Sequence, residues 1–262
     1  LVGRHHADRF YPDFAGVAQS RNFYPVGQLK PEDGLVTVAL GLGASVAEGQ
    51  RALKFCPRRP KILPQMSSST YALRSSQRQF FALDMSSPDK WSPWTKPVQM
   101  FDLAVAESDG TLEAVGATYS AADDRIFDTI YQPGVRIVNF SHVLKYGRFP
   151  LAPVLTELLT IFEDGLGTEV ELEFAVSLGD EDEKPELAVL QVRPLVANYT
   201  SAPVDLERVR YTGQIVVEGP AIGHGIFSDL QDIIFVRPDD FDAARTREMA
   251  RAIGKFNARL VR

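Results

Sequence analysis

The chain has 262 residues, 45% of them hydrophobic and 24% charged, with a formal net charge of −6 and one cysteine. That length supplies one large domain or two small ones with a substantial core, and the negative balance argues against nucleic-acid binding through a basic surface. No apolar run reaches the length of a membrane-spanning helix, and the lone Cys56 excludes an internal disulfide framework and a cysteine-based zinc site, so cytoplasmic residence is the expectation.

The chain opens Leu-Val-Gly-Arg-His-His, with neither an initiator methionine nor a signal sequence, and reaches mid-domain sequence within a few residues. We therefore expect a piece of a longer protein. His5 and His6 read as exposed histidines near its end, although either could be a ligand. Residues 10–25 hold a short strand around Gly16 to Ser20 followed by a polar turn, Ser20-Arg21-Asn22, suited to anion contact and equally to an ordinary turn. A strand from Leu35 to Leu40 runs into Gly41-Leu-Gly43-Ala-Ser-Val-Ala-Glu-Gly49. A dinucleotide fingerprint would need glycine where Val46 stands, so a Rossmann site is not expected, but the glycines still let backbone amides approach a phosphate. Residues 56–97 read as an irregular excursion with Trp91 and Trp94, holding a short helix near Thr70 to Phe81.

Strands are expected at Val98 to Ala106, Leu112 to Thr118 and Val135 to Phe140. His142 precedes a basic Lys145-Tyr-Gly-Arg148 loop and reads as structural, although it could sit near a substrate. A helix over about 150–164 follows from the spacing of Leu151, Leu155, Leu158, Leu159 and Phe162, with Pro150 and Pro153 tolerated near its start and Gly165 and Gly167 ending it. Beyond a linker from Ala197 to Pro203, a tail is expected with strands at Gln214 to Glu218 and Asp232 to Arg237. They flank Gly219-Pro-Ala-Ile-Gly-His-Gly225. A last helix, capped by Asp239 or Asp240, carries the stripe Phe241, Met249, Ile253, Phe256, Leu260.

The most informative stretch runs from Glu169 to Pro194. Val170, Leu172, Phe174 and Val176 alternate with Glu169, Glu171, Glu173 and Ala175; Leu187, Val189, Gln191 and Arg193 alternate with Ala188, Leu190 and Val192. Such alternation marks two strands, joined here by the polar loop from Gly179 to Pro185. Pairing Leu178 with Glu186 sets Glu173 opposite Gln191 and Glu171 opposite Arg193, with both apolar parities turned to the core. Two carboxylates, an amide and a guanidinium on one patch suit a divalent cation and a phosphate. A hairpin with one wet face shows the same pattern, and that reading stays open.

Three strings together resemble the nucleotide-binding domain of the phosphoenolpyruvate synthase and pyruvate phosphate dikinase family, which has an ATP-grasp fold. They are Ala15-Gly-Val-Ala-Gln-Ser-Arg-Asn22, Gly41-Leu-Gly43-x5-Gly49, and Glu171-Leu-Glu173-Phe-Ala with Leu190-Gln-Val-Arg-Pro194. The likeness covers roughly residues 1–200. It implies an α+β fold: an ATP-grasp-like second lobe over 1–200, mostly antiparallel sheet with a packed helix, and a small C-terminal α/β tail over 201–262. It implies Mg2+ and ATP as cofactors. Glu173 and Gln191 would join the metal shell, Glu171 would hold Mg-nucleotide, Ser20, Arg21, Asn22, Gly41 and Gly43 would contact nucleotide, and Arg193 would act catalytically on the phosphates. Partners would be pyruvate or a phosphohistidine domain, with neither nucleic acid nor membrane. The parent protein would be an ATP-dependent phosphotransferase of which this piece alone is inactive. The family's Thr-Gly-Gly-x-x-(Ser/Thr)-His stretch is not found here, His224 lacking that context, and its upstream lobe with a phosphate-binding lysine and arginine is not found either. A non-catalytic nucleotide-binding or interaction module is therefore the alternative.

Overall fold

The structure, a computed structural model, describes residues 2–86, 97–179, 183–195, 232–237 and 241–260. The chain divides into two compact units, Leu1–Val196 and Ala197–Arg262. The first unit starts with β1 (Arg4–His6), β2 (Arg9–Tyr11), β3 (Phe14–Gln19), β4 (Leu35–Leu40), α1 (Ala44–Ala47) and β5 (Leu53–Phe55). It continues with α2 (Ser69–Ser75), β6 (Gln79–Asp84), β7 (Val98–Asp102), α3 (Leu103–Ser108) and α4 (Leu112–Val115). Then come β8 (Gly116–Ser120), β9 (Arg125–Phe127), β10 (Val135–Val138), α5 (Ser141–Leu144), α6 (Leu151–Leu166), β11 (Val170–Ser177) and β12 (Glu186–Pro194).

Three sheets form, in the orders β12-β11-β3-β4-β5, β1-β2-β6-β7 and β10-β8-β9, and the paired strands are antiparallel throughout. With helices beside them, this is an α+β architecture. In the five-stranded sheet, period-two alternation separates two faces. Phe14, Ala18, Val36, Val38, Leu40, Val170, Leu172, Phe174 and Val176 are all buried on one of them. Leu151, Leu155 and Leu159 of α6 are buried in the same cluster, spaced four apart so that they fall on one side of the helix. Gly167, in the left-handed region at φ 67°, ends α6 by donating to the Glu163 carbonyl, while Gly165 lies inside the helix.

The first and second sheets meet at the end of β4. Gly41 has φ 81°, and a Cβ there would lie 2.6 Å from the Phe81 carbonyl oxygen. Only glycine allows that approach, and it lets Leu42 N donate to the same oxygen at 2.9 Å. Beside it the buried Gln77 side chain accepts from Leu40 N at 2.9 Å and donates to Leu40 O at 3.0 Å, closing the strand end.

Several elements differ from expectation. The expected helix near Thr70 to Phe81 stops at Ser75, because Ser76 turns extended and its hydroxyl accepts from Val138 N; Gln79–Asp84 is then a strand whose Phe80 is fully buried. The excursion over 56–97 thus supplies a strand, and Trp91 and Trp94 lie outside the described residues. The strands expected over 98–106 and 112–118 begin and end as such, but Leu103–Ser108 and Leu112–Val115 are helical. Leu103 and Ala106, three apart, bury one side of a turn rich in helix formers, and local propensity wins there.

In the second unit, Asp232–Arg237 forms no strand among the described residues. The last helix, α7 (Thr246–Leu260), follows a 3-10 turn capped by Asp242, whose side chain accepts from Ala244 N at 2.9 Å. Asp239, Asp240, Gln214 to Glu218 and the Gly219–Gly225 segment with His224 lie outside the described residues. No described helix is long and apolar enough to cross a membrane.

Candidate functional site

The sheet face opposite α6 is built from cross-strand rows, since paired residues share a face. One row reads Leu35, Gln19, Glu171, Arg193 across β4, β3, β11 and β12. The next reads Lys54, Thr37, Val17, Glu173, Gln191 across all five strands. The third is alanine throughout: Ala39, Ala15, Ala175, Ala188. Ala39, Ala15 and Ala175 of that row are buried. A cavity of about 680 Å³ opens over the first two rows, floored by Val17, Thr37 and Glu173 and roofed by the α1 turn at Gly43, Ala44 and Val46. That volume suits a small molecule. A Cβ added at Gly43 would meet the Ala15 methyl at 3.9 Å, so this part of the turn lies over Ala15.

The charged row is tightly arranged. Glu171, only 9% exposed, accepts from Gln19 Nε2 at 2.6 Å on one oxygen and from Arg193 Nε at 2.8 Å on the other, which also takes an Arg193 terminal nitrogen. The hydrogen bond and charge of Glu171, with a smaller contribution from Glu173, raise the Arg193 guanidinium above its ordinary value. It is a permanent cation. Glu173 is half-buried, lines the cavity and makes no hydrogen bond with the described residues. The two carboxylates therefore differ: Glu171 is fully engaged in holding Arg193, and Glu173 is open.

The register at the charged rows is Glu171 opposite Arg193 and Glu173 opposite Gln191, as the alternation suggests. The mouth differs by one residue, Ser177 pairing with Glu186, because a β-bulge at Leu190 absorbs the slip. The bulge also overturns the expectation that Ala188, Leu190 and Val192 turn together to the core. Leu187, Val189 and Val192 stand opposite the buried Val176, Phe174 and Leu172, and Leu190 is 57% exposed as part of the cavity wall. Gln191 is exposed and is not among the wall residues.

The Ser20-Arg21-Asn22 turn lies just past the cavity and is tied into the fold. Ser20 Oγ accepts from Val170 N at 3.0 Å, Arg21 pairs with Glu169 at 2.7 Å, and buried Asn22 accepts from Tyr24 N and donates to Cys56 Sγ. Gly41 is spent on sheet packing, while Gly43 lines the cavity. Among residues not singled out by sequence reasoning, Gln19 orients Glu171, Thr37 sits on the floor, and Leu190 forms a wall. Cross-strand register was the one signal that pointed to Gln19, and it emerges only once β3 is known to pair with β11.

Other titratable groups lie elsewhere. His5 is exposed, and His6 stacks on Tyr11 with ring centroids 4.7 Å apart. Both line a separate cavity of about 470 Å³ with Arg4, Asp109 and Arg148. His142 is half-buried near Tyr146 and is not among the residues lining any of the cavities described. Among the described residues, no three His, Cys, Asp or Glu side chains converge as a metal cluster. A hard cation at this site would draw on Glu173 and on oxygens of water and ligand, the usual manner of Mg2+. No protein-family model matches the chain, and no curated protein matches it.

Proposed function

We propose that this face is the phosphate end of a Mg-nucleotide site, and that the protein holds ATP for phosphoryl transfer in the manner of the phosphoenolpyruvate synthase and pyruvate phosphate dikinase family. The observation that carries the reading is an open carboxylate, Glu173, beside a guanidinium held by Glu171, itself oriented by Gln19, with both groups lining one cavity under a glycine-containing turn. In this reading the lobe is ATP-grasp-like. Phosphoryl transfer asks a protein mainly for positioning and charge neutralisation. Arg193 supplies a fixed planar donor for phosphate oxygens, and Gln19 and Glu171 keep it from swinging into solvent. Glu173 supplies a hard oxygen ligand. Glu173 would hold a Mg2+ whose charge would neutralise that of the phosphates.

Isothermal titration of the chain with ATP, with and without Mg2+, tests this. We expect metal-dependent binding that falls in Glu173→Gln and in Arg193→Gln. Equal heats in wild type and both variants, or binding indifferent to Mg2+, would overturn it. A single-turnover assay for loss of the γ-phosphate then separates transfer from binding alone.

A further inference from the structure

We propose a second, cationic subsite beside this cavity, formed by Lys54 and Arg51 with the Thr37 hydroxyl, that takes an oxyanion: a phosphate or carboxylate group. It stands on its own chemistry and does not require the nucleotide reading. Lys54 ends the polar row that runs through Thr37 and Val17 to Glu173, so its side chain shares the face of the cavity. A separate hollow of about 380 Å³ lies over it, lined by Thr37, Val46, Gly49, Arg51, Lys54 and Gln65 among others. Thr37 and Val46 line both hollows, so the two adjoin.

The wall of this hollow carries two cations and no carboxylate. Neither Arg51 nor Lys54 forms an ion pair with the described residues, in a chain whose net charge is −6. The Thr37 hydroxyl makes no hydrogen bond with the described residues and is available to an oxygen of the ligand. The edge of β5 is already covered: Gln65 accepts from Lys54 N at 2.6 Å and donates to Ala52 O at 3.0 Å. That contact fixes the backbone from which the Lys54 ammonium projects and removes strand addition as a competing use of the edge. Lys54 and Glu173 stand three strand spacings apart, about 14 Å between backbones. Two anionic groups, one at Arg193 and one at Lys54, therefore fit end to end: two molecules side by side or one elongated ligand.

The test is an NMR titration of the isotope-labelled chain with inorganic phosphate, repeated with acetate. We expect the amides of residues 49–54 and of Thr37 to shift, and Lys54→Gln and Arg51→Gln each to weaken that binding about tenfold, as the loss of one charge-assisted hydrogen bond does. Glu173→Gln should leave it intact. Shifts with phosphate alone assign a phosphoryl group, and shifts with both anions assign any small oxyanion; either supports the subsite. Phosphate that moves only amides around Arg193, or unaltered affinity in the Lys54→Gln/Arg51→Gln double variant, overturns it. Loss of Mg-nucleotide binding with phosphate still bound at Lys54 would end the nucleotide reading and leave this subsite standing.

Discussion

The unequal settings of Glu171 and Glu173 lead to opposite consequences for the same substitution. In Glu171→Gln the charge that orders Arg193 is lost, and one of its two donors, Gln19 Nε2 or Arg193, must face the new amide nitrogen, donor against donor. Hydrogen bonds to a charged group are worth about 1.5–3 kcal/mol each. Arg193 is 57% exposed at its side chain, so solvent screens its share, and the better-shielded Gln19 contact carries the larger part. The net cost is about 1–2 kcal/mol, a fall in Tm of roughly 3–6 °C for a unit of this size. Glu173→Gln removes no hydrogen bond, so its stability should stay within about 0.5 kcal/mol of wild type. Binding should show the reverse order. Glu171→Gln, acting through Arg193, should weaken Mg-nucleotide about tenfold, and Glu173→Gln at least as much. Guanidinium melts and titration calorimetry on the same preparations read both quantities. If Glu173→Gln melts below Glu171→Gln, or if neither changes affinity, the division of labour between the carboxylates is wrong.

Other consequences follow from single contacts. Gly41→Ala places a Cβ against the Phe81 carbonyl at a positive φ and should cost about 2–4 kcal/mol by chemical denaturation; a loss under 1 kcal/mol would mean the strand junction relaxes easily. Gln77→Ala strips both Leu40 backbone groups of their partner inside the core, and about 2–4 kcal/mol should go with it, visible as faster hydrogen exchange at Leu40. Phe174→Ala, emptying a fully packed site between β11 and α6, should cost about 3–5 kcal/mol in the same melts. Burial alone would raise the Asp109 carboxyl, but hydrogen bonds from Arg9 and Tyr11 and the Arg9 charge outweigh it and hold it below the ordinary carboxylate range. A depressed folded pKa stabilises fully above the unfolded value of about 3.9 and is lost as pH falls through the folded one. The stability gap between wild type and Asp109→Asn should therefore be full at pH 7 and shrink below about pH 4, and a gap that is constant across that range would refute the assignment.

Much of the architecture is legible along the chain because it rests on local periodicity. The buried parity of β11, the bounds of β4 and the amphipathic α6 with its terminal Gly167 follow from alternation and spacing, whereas the opposition of Glu171 with Arg193 and Glu173 with Gln191 depends on the bulge at Leu190, which offsets the one-residue difference at the mouth. The helices at Leu103–Ser108 and Leu112–Val115 are not legible in this way, since short apolar runs suit either state and the choice falls to what each turn buries. Nor is the site beyond its hairpin. That β3 and β4 extend the same sheet brings Gln19 to Glu171 and Thr37 and Lys54 into the row of Glu173, across about 150 residues of chain in the first case. The bulge that exposes Leu190 and the engagement of Ser20 and Asn22 in the fold are likewise decided by packing. A residue's period tells which face of its own strand it occupies; which strands lie alongside, and so which side chains meet, is a property of the folded sheet alone.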